Sequence, residues 1–368
     1  MRRALRLARR GWGWTAPNPM VGAVVVRGGE VVGEGWHAEL GGPHAEVMAL
    51  TAAGTRARGA DLYVSLEPCT HHGRTPPCTE AVIAAGIRRV IIPLRDPNPL
   101  AQGGVDRLRA AGIAVTEGVE AEAAAELNAP FLFTQRVAGR PFVTLKLAVS
   151  LDAMLAPRDR SRLQLTGPAA MREVHRMRAQ VDAIAVGLGT VLADDPKLTV
   201  RAGRRPRVAP TRIVFGEADR VPGSAALVRT ARKVPTWVVS RGAGSAAGTA
   251  PMRDDAPLRH LATAGVRCLT APTLRDQLAR LRQEGVRHLL AEGGAGLAGG
   301  LLTAGLVDRL VIFQAPVLLG AGALAAFGGV ELEATAPGEL PGRWQMVAQR
   351  PFGDDLMTVY APVASLAR

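Results

Sequence analysis

Three side chains suited to a borderline-soft metal, His44, Cys69 and Cys78, stand too far apart in this chain for one helix or strand to hold them together. To meet around one ion they need three elements whose ends converge, and the flanking sequence supplies those elements. Pro43 and His44 open a helical stretch running through Glu46, Val47, Met48, Ala49 and Leu50. Residues 61–67 read as a strand, with Leu62, Val64 and Leu66 alternating with Tyr63, Ser65 and Glu67, and Pro68 ends it. A second helix starts near Pro77-Cys78 and stops at Gly86, a good residue just past a helix end. Residues 21–26 and 30–35 form a hairpin around Gly28-Gly29, and residues 89–93 read as a further strand. The order is β-β-α-β-α-β, the pattern of an α/β sheet.

One histidine and two thiolates leave the fourth tetrahedral position of a zinc ion open, as a catalytic site requires. Cys78 at a helix N-terminus gains a dipole that favours its thiolate. Glu46 shares the first helical turn with His44, where it can take a proton from the zinc water and deliver it to a ring nitrogen and departing ammonia. His44-Ala45-Glu46 followed by Glu67-Pro68-Cys69 is the signature of zinc-dependent base deaminases. The usual form has two residues between the cysteines, whereas eight separate Cys69 from Cys78. Two other readings compete: a structural four-ligand site completed by His71 or His72, and a deaminase acting on nucleic acid.

Net charge is +13 and the sequence pI about 11.1, which fits nucleic acid, an acidic membrane or a phosphorylated small molecule. The basic residues are dispersed, for example Arg2, Arg3, Arg88, Arg89, Arg204, Arg205 and Arg207, and an aromatic share of 4% argues against a base-stacking platform. No membrane segment is expected: the uncharged stretch at residues 293–307 is short and glycine-rich. The first residues carry arginines without the apolar core of a signal peptide, and Ala4, Leu5, Leu7 and Ala8 fit one face of a short helix instead. Three cysteines make no disulfide framework. A soluble, cytoplasmic protein is the simplest expectation.

A chain of 368 residues exceeds what one core usually serves, and a break is expected near Ala138-Gly139-Arg140-Pro141. Beyond it, strands are predicted at residues 142–150, 182–186, 212–215, 235–240, 266–270, 287–292 and 308–313, with helices at about 274–283 and 297–304. Thr166 is the expected N-cap of a helix reaching residue 180, and residues 242–251 read as a mobile loop. Glu292-Gly293-Gly294-Ala295-Gly296 makes a strand-to-helix turn able to cradle phosphate, although it lacks the Gly-x-Gly-x-x-Gly dinucleotide pattern. Arg178 and Arg201 can clamp a phosphate or simply lie on the surface. Lys146 within an apolar strand is more telling, because a charge there is costly without a ligand or partner.

Cys69-Thr70-His71-His72-Gly73-Arg74-Thr75-Pro76-Pro77-Cys78 makes the resemblance specific, together with Pro17-Asn18-Pro19, Gly35-Trp36-His37, Pro43-His44-Ala45-Glu46 and Asp96-Pro97-Asn98-Pro99. In the second half Leu145-Lys146-Leu147-Ala148, Ser150-Leu151-Asp152, Thr190-Val191-Leu192-Ala193-Asp194-Asp195-Pro196 and Glu292-Gly293-Gly294 continue it. These motifs resemble the bifunctional deaminase–reductases of riboflavin biosynthesis over nearly the whole chain.

The resemblance implies a cytidine-deaminase-like three-layer α/β/α domain over residues 1–139 and a dihydrofolate-reductase-like α/β domain over residues 140–368. The first would use zinc, held by His44, Cys69 and Cys78, and Glu46 to deaminate a small phosphoribosylated diaminopyrimidine, with Asn18, His37, His71 and Arg74 lining the pocket. The second would use NADPH to reduce the ribosyl group to ribityl. Arg178, Leu198, Arg201 and Glu292 match substrate positions. Ala148, Thr190, Asp194, Gly294, Ala295, Gly296, Leu297, Ala298, Gly299 and Gly300 match cofactor positions. Lys146 and Asp194 are the candidates for polarising or protonating the sugar. The resemblance also implies a homo-oligomer that binds neither nucleic acid nor membrane. The chain departs from the family's usual residues at Ala153 (glycine), Gln164 (an aromatic), Gly216-Glu217 (Asp-Ser) and Val317 (lysine).

Overall fold

The computed structural model describes residues 1–72, 76–242, 258–332 and 342–363. The chain divides into two compact units, Met1–Ala138 and Gly139–Arg368.

In the first unit the strands are β1 (Gly22–Arg27), β2 (Glu30–Trp36), β3 (Asp61–Val64), β4 (Arg89–Ile91) and β5 (Ala114–Thr116). They form one sheet in the order β2-β1-β3-β4-β5, with β1 antiparallel to both neighbours and β3, β4 and β5 parallel. The β1–β2 hairpin turns through Gly28 and Gly29 at φ 58° and 87°, the left-handed values a two-residue turn demands.

Strand alternation sends side chains to two covered faces. Val24, Val26, Trp36 and Tyr63 meet Ala4 and Leu7 of α1 (Arg2–Ala8). Ala23, Val25, Leu62 and Val64 meet α2 (Ala45–Ala53), α3 (Cys78–Ala84) and α4 (Gly104–Ala110) through Ala45, Ala49, Val82, Val105 and Leu108. Helices on both faces give three layers, α/β/α. Ala124 and Leu127 of α5 (Ala121–Leu127) brace α1, and α6 (Ala129–Arg136) follows.

Helix α2 lies unusually close to the sheet. A Cβ added to Gly33 or Gly35 of β2 would sit 2.2 Å from the Ala49 carbonyl oxygen or 2.4 Å from that of Ala45. Only glycine permits this approach, which sets the start of α2, and so His44 and Glu46, against the sheet.

The strand expected over residues 61–67 ends at Val64. Its next residue, Ser65, takes the Gly22 N–H on its hydroxyl, and the carboxylate of Glu67 binds the backbone N–H groups of Asp96 and Val105.

In the second unit a nine-stranded sheet is built from β6 (Phe142–Val149), β8 (Ala183–Gly187), β9 (Thr211–Phe215), β10 (Thr236–Ser240), β11 (Arg267–Thr270), β12 (His288–Glu292), β13 (Arg309–Gln314), β15 (Trp344–Phe352) and β16 (Asp355–Pro362). The order is β11-β10-β9-β8-β12-β6-β13-β16-β15, parallel from β11 to β13 and antiparallel beyond. The short strands β7 (Met154–Ala156) and β14 (Leu324–Ala325) pair separately.

Leu278 and Leu281 of α11 (Leu274–Gln283) and Leu297, Ala298 and Leu301 of α12 (Ala295–Thr303) pack on Val143, Leu145 and Leu147. On the opposite face α8 (Leu188–Asp194), α9 (Ala226–Arg229) and α10 (Arg259–Ala264) bury Ile184, Val214, Val238 and Leu290. Ala170 and Val174 of α7 (Pro168–Arg178) cover Val311, Phe313 and Met357.

Thr166 does not cap α7. Gly167 holds that position without a side-chain cap, and its own N–H donates to Asp355 Oδ2 at 2.7 Å. Helix α8 and the β15–β16 hairpin are elements the sequence reading leaves out. The glycine-rich stretch expected to be mobile lies, after Gly242, outside the described residues. Among the described residues no helix is long and apolar enough to cross a membrane.

Candidate functional site

His44 stands at the N-cap of α2, Cys78 is the first residue of α3, and Cys69 follows the turn after β3. Their donor atoms lie within 4.8 Å of one another. His44 Nδ1 is 3.2 Å from Cys78 Sγ and 3.6 Å from Cys69 Sγ. Tetrahedral zinc with bonds of about 2.3 Å to sulfur and 2.0 Å to nitrogen separates such atoms by about 3.5 Å. The trio therefore fits one zinc ion, and its soft N/S chemistry matches that metal. Hydrogen bonds from Cys78 and His44 pull the Cys69 thiol well below its usual range, toward the thiolate that a metal binds.

Glu46 is buried beside this trio, and burial pushes its carboxyl up to about 7. A carboxyl near that value can both accept and return a proton at neutral pH. His37 is also buried, and its ring meets that of His44 edge-on with centroids 5.4 Å apart. Its Nδ1–H donates to the Pro43 carbonyl at 3.1 Å, because a carbonyl can only accept. That leaves Nε2 facing the Asn18 amide at 3.5 Å. The structure thus gathers Asn18, His37, His44 and Glu46. His71 follows Cys69 by two residues, and its Nδ1 is buried without a hydrogen-bond partner, an atom that calls for a ligand or water. Arg74 lies outside the described residues.

Two supporting residues carry no obvious sequence signal for their role. Glu67 accepts the backbone N–H groups of Asp96 and Val105, each at 2.8 Å, and so ties the residue pair before Cys69 to the loop after β4 and to the first turn of α4. Asn128 pairs with both backbone groups of Met20 at 2.9 Å, holding the segment that carries Asn18.

In the second unit the candidates collect at the carboxyl ends of parallel strands, where open α/β sheets form their clefts. Lys146 of β6 and Glu292 of β12 are register partners, and Lys146 Nζ lies 3.7 Å from Glu292 Oε2. Arg178, the last residue of α7, forks onto Glu292 at 2.5 and 2.7 Å. Although burial opposes it, the two cations hold the Glu292 carboxyl down at about 2. Burial pulls the Lys146 amine below its ordinary value, against the opposing pull of Glu292.

Ala148 lies two residues along β6 from Lys146, on the same side of the strand. Thr190 of α8 meets the turn after β12: a Cβ on Gly294 would come 2.9 Å from its hydroxyl oxygen. Gly294 caps α12, which carries Ala295, Gly296, Leu297, Ala298, Gly299 and Gly300. Leu297 and Ala298 are core residues packed inside, so their side chains serve the helix and only its amino end is offered. Asp194 ends α8, half-buried, with no hydrogen bond or ion pair to Lys146 or Glu292. Leu198 is buried at φ 47°, and Arg201 is exposed.

The departures also find physical readings. Ala153 adopts φ 57°, a value that suits the family's glycine better. Gly216 sits at φ 150°, and a Cβ there would lie 2.6 Å from Leu188 Cβ. The missing side chain is matched by the leucine that fills its place.

Two family models match: the cytidine and deoxycytidylate deaminase zinc-binding region over residues 1–94, and the RibD C-terminal domain over residues 141–358. The riboflavin biosynthesis protein RibD of Aquifex aeolicus is 43% identical over 325 residues, 88% of this chain and 87% of its own length. That of Escherichia coli K12 is 41% identical over 366 residues, 92% of this chain and 93% of its own. Among solved structures, the diaminohydroxyphosphoribosylaminopyrimidine deaminase/5-amino-6-(5-phosphoribosylamino)uracil reductase of Thermotoga maritima is 32% identical, with a TM-score of 0.81, covering 98% of this chain and 97% of its own. Acinetobacter baumannii RibD, form 1, is 36% identical with a TM-score of 0.79 and the same coverage.

Proposed function

The chain belongs to the RibD family of riboflavin biosynthesis, and we propose that its first site deaminates a phosphoribosylated diaminopyrimidine and its second reduces the ribosyl group with NADPH. It is a deaminase and a reductase in one polypeptide. The observation that carries the site assignment is the convergence of His44, Cys69 and Cys78 beside the buried Glu46.

Zinc, when bound by these three residues, supplies the Lewis acidity that makes water a nucleophile at neutral pH. Glu46 takes the proton released as water attacks the amine-bearing carbon. It then passes that proton on as the C–N bond breaks and ammonia leaves. His37, fixed by Pro43, and Asn18 orient the pyrimidine, and His71 and Arg74 hold its substituents. His71 enters with one ring nitrogen already desolvated and unpaired.

In the second site NADPH supplies the hydride. Thr190, Asp194, Ala148 and the turn opening α12 would hold it, the amino end of α12 offering backbone N–H groups suited to phosphate. Lys146, beside Glu292, polarises the ribosyl carbon–oxygen bond, and Lys146 or Asp194 delivers the proton that accompanies hydride. Leu198 and Arg201 present the loop that receives the substrate phosphate, with Arg178 and Glu292 behind them.

The test is a two-stage assay. Substrate is first incubated with zinc-loaded protein and the product is weighed by mass spectrometry; NADPH absorbance is then followed. Loss of the amine nitrogen followed by stoichiometric NADPH oxidation is the expected result. No NADPH oxidation with the deaminated intermediate supplied would remove the reductase half, and deamination of RNA instead of the small substrate would overturn the first half.

A further inference from the structure

Residues 195–201, between α8 and β9, carry two strained non-glycine residues, Asp195 at φ 41° and Leu198 at φ 47°. Left-handed backbone of this kind costs on the order of 1 kcal/mol per residue and persists only where the surroundings hold it. Here the surroundings hold it at alternate positions. Asp195 Oδ1 accepts the Ala226 N–H at 2.6 Å, and the Lys197 carbonyl accepts from Arg212 Nη1 at 3.4 Å. The Thr199 carbonyl accepts from Arg178 Nη1 at 3.2 Å. At the far end, the Arg201 backbone N–H donates to His175 Nδ1 at 3.3 Å.

His175 is the fastening that no motif marks. It lies on α7, buried, three residues before Arg178, so both side chains leave the same face of that helix. Because the Arg201 N–H can only donate, His175 Nδ1 must accept, and the ring proton sits on Nε2. The ring is thus neutral when it works. Burial, with the cations Arg178 and Arg201 nearby, keeps it so, against the pull of Glu292 and the Thr199 carbonyl.

We propose that His175 is a positioning residue for the reductase substrate: by accepting the Arg201 N–H it locks residues 195–201 in the strained form that presents the Leu198 backbone and the Arg201 guanidinium to the sugar phosphate. One α7 face then does two linked tasks. Arg178 reaches both Glu292 and the Thr199 carbonyl, and His175 fixes the loop one step further along. The inference rests on the reductase reading above, in which Leu198 and Arg201 meet the substrate.

The test compares His175→Asn, His175→Gln and His175→Leu in the full-length, zinc-loaded protein. Asn can place Oδ1 where Nδ1 was; Gln keeps polarity but displaces the acceptor; Leu removes it. Calorimetry measures binding of the deaminated phosphoribosyl intermediate without NADPH, and steady-state kinetics separate KM from kcat. Expected for Leu and Gln is about tenfold weaker binding and a matching rise in KM, with kcat and the KM for NADPH within about twofold. Asn should recover most of the loss. The unchanged KM for NADPH and the thermal unfolding of the second unit report that each variant is folded there, and if Leu fails that check the Asn–Gln comparison decides. The proposal is overturned if Gln binds the intermediate like wild type, if Asn is no better than Gln, or if kcat alone falls. Wild-type protein that binds the intermediate but never oxidises NADPH would sink the reductase reading while leaving the binding comparison able to decide the role of His175.

Discussion

The Arg178 guanidinium and the Glu292 carboxylate meet fork to fork across the second unit, with two hydrogen bonds of 2.5 and 2.7 Å and almost no solvent at either group. Lys146 approaches the same carboxylate at 3.7 Å, so two buried cations share one anion. Removing that anion strands both.

Glu292→Gln should therefore destabilise the second unit by on the order of 3 kcal/mol, the usual loss when one partner of a buried pair is removed. The native carboxyl titrates at about 2, below the unfolded value of about 4.3. Its stabilisation is thus complete above about pH 4.3 and is lost as pH falls toward 2. Thermal melts of both proteins between pH 7 and pH 3 should show a gap that is wide at neutral pH and narrows toward pH 3; a pH-independent gap would contradict the pairing.

Glu46→Gln should keep zinc and fold yet lose deamination by on the order of 10²–10⁴-fold, the range expected for a general acid–base group. Metal analysis and mass detection of the product test this. Retained zinc separates a local chemical defect from unfolding of the first unit, and NADPH oxidation with the deaminated intermediate should continue unchanged.

Chelation of zinc, or Cys69→Ser, should abolish deamination and leave the second activity intact. Far-ultraviolet circular dichroism at room temperature should barely change on chelation, and added Zn²⁺ should restore the stripped wild type. A collapse of secondary structure on chelation would mean the metal folds the site instead of occupying it.

Ala153→Gly should stabilise the protein by about 0.5 kcal/mol. Relief of a left-handed alanine is worth about 1–2 kcal/mol, and glycine's extra unfolded-chain freedom takes back about 0.5–1 kcal/mol. The position is at φ 57°, and denaturant unfolding measures the difference.

Arg212→Met should cost at least about 3 kcal/mol. This arginine is only 1% exposed and has no carboxylate partner in its hydrogen bonding; it donates instead to the carbonyls of Lys197, Leu227 and Val234 and the hydroxyls of Thr230 and Thr236. Methionine fills the volume but takes a charged donor from each of those oxygens, leaving only the Thr236 hydroxyl to reach the Leu227 and Val234 carbonyls and the Thr230 hydroxyl to reach that of Ala226. Equal urea midpoints for the two proteins would refute the assignment.

The zinc trio and Glu46 were legible because a metal demands particular atoms, and those atoms belong to few residue types. Lys146 was legible for a related reason: a charge inside an apolar strand needs a cause. His175, Asn128, Asp195 and Glu67 were not, since each holds backbone groups and any polar residue type can do that. Helix α8 escaped because Leu188, Gly189, Thr190 and Val191 show no amphipathic stripe; the short helix buries only Leu188 and Val191. The cap of α7 was misplaced for the opposite reason. Thr166 has the right local chemistry, but the helix begins one residue later, with Gly167 at its N-cap held by Asp355 from far along the chain.

Glu67 accepts two backbone N–H groups and thereby frames Cys69 with protein alone. The grip on zinc therefore depends on a carboxylate outside the ligand set, because the residues just before Cys69 are tied through Glu67 to the backbone of Asp96 and Val105.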